Sequence, residues 1–212
     1  MPPEHALRML ASAHRSCTRC VDDGLLPAAR PVFGAGPGRR ILLVGQAPGP
    51  VEQDVRRPFA GRAGRQLMRW LVRAGFEDEA AVRARLWITS TITCFPGRLP
   101  AGGGDRRPSA AQVANCGPWL DEVLRLLDPP LVVTVGGLAL TRVTGRRDRL
   151  DDIVGTVLDT GGRSVVPLPH PSGQSRWLND PARVRLLDAA LARLAMLAAE
   201  LAPGGDHPPA DW

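Results

Sequence analysis

Three features of the sequence predict an α/β fold, a three-layer α/β/α sandwich around a mostly parallel sheet. Short apolar, β-branched runs recur along the chain at Ile41–Val44, Leu86–Cys94, Leu131–Val135 and Val165–Leu168. Stretches with helical spacing of apolar residues separate them. Three of the runs also pass directly into unusual loops rich in Gly, Pro and Arg. In a parallel sheet such loops gather at the C-terminal edge of the strands, where ligands bind.

In chain order, residues 4–15 read as a short helix and 22–39 as a Gly/Pro/Arg loop. Ile41–Val44 is a buried strand that ends in Gly45, and Gln46 to Gly61 is a Pro/Gly-punctuated loop. From Arg62 to Gly75, Leu67, Leu71 and Ala74 fall at helical spacing, with Gly75 as the stop. The strand Leu86–Cys94 (LWITSTITC) leads into a second loop at 96–108. Ser109 is the expected N-cap of a helix carrying Val113, Cys116, Leu120, Val123, Leu124 and Leu127. Pro129 and Pro130 end it before the strand Leu131–Val135, and Gly136-Gly137 open a short helix to about Thr144. Residues 153–168 read as a hairpin, His170 to Asn179 as the third loop, and Pro181 starts a helix to about Leu201. Residues 1–202 are thus expected to form one domain, and 203–212 a disordered tail.

The 212-residue chain is 44% hydrophobic and 23% charged, enough to bury a core and too apolar for global disorder. Its N-terminus lacks the pattern of a secretion signal, and no run is long enough to span a bilayer, so a cytoplasmic protein with no membrane partner is expected. The net charge is +6, and every basic residue is Arg. That excess favours a polyanionic partner such as nucleic acid.

Four cysteines are too few for a disulfide scaffold, but their spacing carries chemistry. Cys17 and Cys20 form a C-x2-C pair, and Cys94 and Cys116 follow downstream. Two thiolates on one turn with two distant ones can complete fourfold ligation, which leaves zinc and iron–sulfur both open. The first loop, Gly45 to Gly64, has Gly45, Pro48 and Gly49 arranged for a tight turn with exposed N–H groups. It also supplies Glu52, Asp54 and a lone aromatic, Phe59. In the third loop, His170 at a strand end, held by Pro171, can donate to a developing anion.

These residues resemble the uracil-DNA glycosylase superfamily, most closely its family 4, the iron–sulfur enzymes. The resemblance runs from Cys17 to Arg176. It comprises G-[EQ]-x-P-G at 45–49 with Glu52 six residues beyond Gln46, P-F-x-G-R-A-G at 58–64, H-P-S at 170–172, and the four cysteines in family order. The resemblance implies a [4Fe–4S] cluster on Cys17, Cys20, Cys94 and Cys116, with zinc as the alternative. It implies a monomeric, monofunctional DNA glycosylase that flips uracil from single- or double-stranded DNA, excises it by hydrolysis and leaves an abasic site.

By the same resemblance, Gly45, Ala47 and Gly49 frame the base pocket and Phe59 stacks on the flipped base. His170 stabilises the departing base. Ser172 holds a phosphate, Arg62 lies near phosphate, and Gln174, Ser175 and Arg176 fill the vacated space in the duplex. Two positions depart from the family pattern: Gln46 stands where Glu is usual, and Ser90 where Asn is usual. Glu52 is then the best remaining carboxylate for water, beside Gln46 and with Asp54 second. The departures also keep open a glycosylase for another deaminated or modified base, or a catalytically weakened protein that binds damaged DNA. With no Lys in the chain, Schiff-base lyase chemistry by Lys is excluded.

Overall fold

In the computed structural model, which describes residues 3–34, 40–100, 103–173 and 176–201, five strands form one sheet. They are β1 (Ile41–Gly45), β2 (Leu86–Ser90), β3 (Leu131–Val135), β4 (Leu158–Thr160) and β5 (Arg163–Leu168), in the order β2-β1-β3-β5-β4. All pairings are parallel except the β4–β5 hairpin. Every residue of β1, β2 and β3 is buried, as strands covered on both faces must be.

Alternation along the strands sorts their side chains into two cores. Ile41, Leu43, Leu86, Ile88, Leu131, Val133, Val166 and Leu168 pack on one face with α4 (Arg62–Arg73) and α9 (Pro181–Glu200). Leu42, Val44, Trp87, Val132 and Val165 pack on the other with α1 (Pro3–Arg15), α6 (Ala110–Leu127) and α7 (Gly137–Thr144). The period of two in the strands thus produces the expected three layers. Ser109 caps α6 as expected: its Oγ accepts from Gln112 N–H at 3.2 Å, and Gln112 Oε1 accepts from Ser109 N–H at 2.9 Å.

The structure corrects several boundaries. The second strand ends at Ser90 rather than Cys94. Beyond it the chain stays stitched to β1: Thr91 N–H donates to Gly45 O at 2.8 Å and Ile92 N–H to Gln46 O at 3.2 Å. The first loop contains a short helix, α3 (Pro50–Val55), because Pro50 at the first turn and Glu52 three residues past Gly49 start a helix as readily as they punctuate a loop. Three further short helices, α2 (Arg19–Asp22), α5 (Glu79–Arg85) and α8 (Leu150–Ile153), were too brief to show a period. The loop at 96–108 closes on itself, with Arg98 bridging Asp105, Leu99 N–H on Gly104 O at 2.8 Å and Arg106 N–H on Gly97 O at 2.8 Å. The expected tail, 203–212, lies outside the described residues. Among the described residues no helix is long and apolar enough to cross a membrane.

Candidate functional site

Because β1, β2, β3 and β5 run parallel, their C-terminal ends share one edge, and β1 lies next to both β2 and β3. The first and third loops leave from that edge, as does the 91–94 segment. Ser90 ends β2 in register with Gly45 at the end of β1. The Phe59 ring closes over this junction. A Cβ on Gly45 would sit 2.6 Å from Phe59 Cζ and 3.3 Å from Ser90 Oγ, so only glycine leaves room for the ring. Among the described residues the Ser90 hydroxyl and the Gln46 amide make no side-chain hydrogen bond with the protein.

Phe59 itself adopts a left-handed conformation, φ +52°, which a bulky aromatic residue rarely takes. Its neighbours enforce that strain. Arg83 on α5 donates to Pro58 O at 3.2 Å and to Phe59 O at 3.3 Å, while its Nε pairs with Glu79 at 2.8 Å. On the other side α4 presses its Gly64 against the Phe59 carbonyl, where a Cβ would come within 1.9 Å. Strain held by this many partners is the kind that accumulates at working sites. The Arg83 clamp escaped the sequence reading because α5 itself did.

His170 follows β5 and lies against Gly136, the residue after β3, whose φ of +87° turns the backbone away. A Cβ there would meet His170 Cδ2 at 3.5 Å. Phe59 and His170 therefore stand at the ends of strands on the same sheet edge, Phe59 over β1 and His170 beside the end of β3. The Ser172 N–H donates to His170 Nδ1 at 3.3 Å, which makes Nδ1 the acceptor and leaves the ring proton on Nε2. Burial pushes the imidazole pKa below its usual value, so the ring is neutral at neutral pH.

Glu52 is buried, and both carboxylate oxygens are occupied: Oε2 accepts from Gly49 N–H at 3.1 Å and Oε1 from Gly61 N–H at 2.7 Å. It ties the two ends of the first loop together. The Gly49 N–H expected to face a ligand is thereby bound to Glu52. Replacing Glu52 with Gln puts an NH2 group against one of these N–H donors; the expected outcome is a loss of about 1–3 kcal/mol in urea unfolding. Asp54 is exposed on α3. A carboxylate that the sequence reading passed over, Asp105, is exposed and reaches the same turn, its Oδ2 3.5 Å from where a Gly49 Cβ would stand. Only the closing of the 96–108 loop brings it there.

Of the other expected site residues, Arg62 is exposed at the first position of α4, Ala47 is half-buried in the turn, and Ser172 is half-buried beside His170. Gln174, Ser175 and the Arg176 side chain lie outside the described residues. Just beyond them Trp177 packs against the core, and its indole N–H donates to Asp151 at 2.5 Å.

The four cysteines line one partly open pocket with Leu26, Ile92 and Asn115. None forms a disulfide. Burial, reinforced by the neighbouring thiols, pushes Cys94 up to about 11 and also raises Cys116. Polar groups nonetheless lie against the sulfurs. The Thr93 hydroxyl lies 3.4 Å from Cys116 Sγ, the Asn115 amide 3.9 Å from Cys20 Sγ, and the Arg30 backbone bonds Cys94. The Asn115 and Arg30 N–H groups directed at sulfur fit thiolate ligands better than neutral thiols. Four cysteine sulfurs lining one cavity are a donor set that fits a thiolate-held metal centre, either zinc or an iron–sulfur cluster.

The family model for the uracil DNA glycosylase superfamily matches residues 33–195. A type-4 uracil-DNA glycosylase from Thermotoga maritima is 30% identical over 172 residues, covering 80% of this chain and 83% of that protein. A type-4 uracil-DNA glycosylase from Pyrobaculum aerophilum is 32% identical over 119 residues, 54% of this chain and 55% of its own length. A type-5 uracil-DNA glycosylase from the same organism is 31% identical over 147 residues, with 63% and 61% covered.

Proposed function

The chain belongs to the uracil-DNA glycosylase superfamily, in its type-4 branch, and from that premise we propose that it is a monofunctional DNA glycosylase that excises uracil by hydrolysis and leaves an abasic site. The observation that carries the reading is the neutral His170, its proton fixed on Nε2 by the Ser172 N–H, on the same sheet edge as the strained Phe59.

The chemistry follows from those groups. The flipped base stacks on the Phe59 ring, whose π-face suits any base. As the N-glycosidic bond breaks, its electron pair moves onto the base. His170 Nε2–H donates to the oxygen where that charge develops, and it acts as a hydrogen-bond donor without having to be a cation. The cation developing on the sugar is captured by water. Glu52, with both oxygens bound to backbone, is the positioning residue that shapes the loop, and Asp105, which makes no side-chain hydrogen bond among the described residues, is the carboxylate at the same turn that orients the water. Ser172, Arg62 and the Gln174–Arg176 tip contact the DNA backbone and the vacated stack. Replacing Asp105 with Asn is expected to lower excision about 10²-fold or more with little change in melting temperature, because general-base help contributes about 10²–10⁴-fold and the side chain is exposed. An unchanged rate would return the role to another group.

Cys17, Cys20, Cys94 and Cys116 are the residues that would hold the [4Fe–4S] cluster. When bound it supplies a rigid cross-link between the N-terminal helices, the 91–94 segment and α6. The purified protein is expected to be brown, with broad charge-transfer absorbance near ~400 nm. A colourless protein holding one zinc would contradict this.

The test is base release from oligonucleotides that each carry one altered base. Free uracil with an intact abasic strand is the expected product. Release of another base but not uracil would favour the second reading, which rests on the unpaired Gln46 amide and Ser90 hydroxyl at the pocket edge. DNA affinity should fall steeply with added salt as counterions are released from phosphates; a flat salt profile would exclude backbone contact.

A further inference from the structure

Beside the four thiols lies a buried polar chain for which base excision has no use. The Thr93 hydroxyl stands 3.4 Å from Cys116 Sγ and 2.9 Å from His14 Nε2. His14 is fully buried on α1, its ring centroid 4.6 Å from that of Phe33 and 4.8 Å from that of Trp119, which meets it edge-on. Its other nitrogen, Nδ1, is buried with no hydrogen-bond partner among the described residues. Aromatic packing alone would be satisfied at lower cost by an apolar side chain, because a buried unpartnered nitrogen is unfavourable. The placement implies that the bonded nitrogen has a task.

A hydroxyl has one proton to give. A thiolate ligating iron cannot donate, so the Thr93 proton must point at Cys116 Sγ. The Thr93 oxygen then accepts from His14, which must carry its proton on Nε2. The nitrogen left over is a bare lone pair, whereas the reverse direction would strand a buried N–H, the rarer and costlier orphan.

We propose that His14 and Thr93 form a one-way hydrogen-bond relay that holds the Cys116 sulfur as a cluster ligand and protects the cluster from loss. The relay concerns the cluster, and it rests on the iron–sulfur reading above. Hydrogen bonds to ligating sulfur draw charge off it and fix its direction, which is how groups around a metal ligand govern its hold.

The test compares iron content and the decay in air of the charge-transfer absorbance for wild type, Thr93→Val, Thr93→Ser and His14→Phe. Thr93→Val keeps the shape but has no hydroxyl, and it should lose colour several-fold faster than wild type. Thr93→Ser should retain the wild-type rate, and His14→Phe, which keeps the ring packing, should resemble Thr93→Val. Circular dichroism shows whether each variant folds. A folded Thr93→Val with the wild-type decay rate would overturn the relay. Nitrogen-15 spectra of the brown wild-type protein give an answer without any variant: a His14 protonated at Nε2 supports the relay, and one protonated at Nδ1 sinks it. Wild-type protein without iron would remove both the cluster and the relay. Uracil release, assayed on the same preparations, reports on the excision reading by itself.

Discussion

Replacing His170 with alanine is expected to slow single-turnover base release about 10²–10³-fold, the usual cost of removing one preorganised donor to a developing anion. Affinity for DNA should change little, because the loss falls on the transition state and not on phosphate contacts. Three structural facts support this size. The ring is desolvated, so its hydrogen bond acts in a low dielectric. Its tautomer is fixed by the Ser172 N–H. Gly136 lets the ring lie close against the end of β3, where a Cβ would meet His170 Cδ2 at 3.5 Å.

The same burial gives His170 a pH signature. Its folded pKa is depressed below the unfolded value of about 6.5, so between the two the unfolded chain binds the extra proton. Its contribution to stability is present above about pH 6.5 and is lost as the pH falls through that window. Thermal melting of wild type should therefore decline more steeply below pH 6.5 than melting of His170→Gln, which has no proton to gain there. Parallel curves would show that His170 titrates alike in both states.

Gly64→Ala is the second large effect. A Cβ placed 1.9 Å from the Phe59 carbonyl cannot be absorbed by a rotamer change, since the obstacle is backbone. Either α4 shifts outward or the Pro58–Phe59 turn leaves its φ of +52° and slips from the Arg83 clamp. Overpacking of this kind costs about 1–3 kcal/mol. Excision should fall further than stability does, about 10²-fold, because displacing a positioning group by an ångström suffices for that. Melting temperature and single-turnover rate measured together check this. A variant that melts lower but excises at the wild-type rate would show that the Phe59 ring does not position the base.

The three layers and the sheet edge were legible in the sequence because buried strands such as Leu131–Val135 are apolar throughout, and because the loops after them carry Gly, Pro and Arg in place of apolar residues. The convergence of His170 on the sheet edge and of the four cysteines on one cavity was legible through motif spacing. Hidden from it was everything decided by three-dimensional closure. Glu52 reads as an available acid until Gly49 and Gly61 come together around it. Asp105 reads as part of a flexible loop until the Arg98–Asp105 bridge folds it against Gly49. The Arg83 clamp depends on α5, seven residues long and too short to display helical periodicity. The His14–Thr93 pair joins residues 79 positions apart, a contact that no local pattern announces.

A crystal structure bound to DNA bearing a 2′-fluoro-deoxyuridine, which resists cleavage, tests the geometric core of this account most directly. The extruded uracil is expected to stack on the Phe59 ring, with its carbonyl oxygen accepting from His170 Nε2. A base lodged elsewhere on the protein, with Phe59 and His170 both out of contact with it, would contradict it.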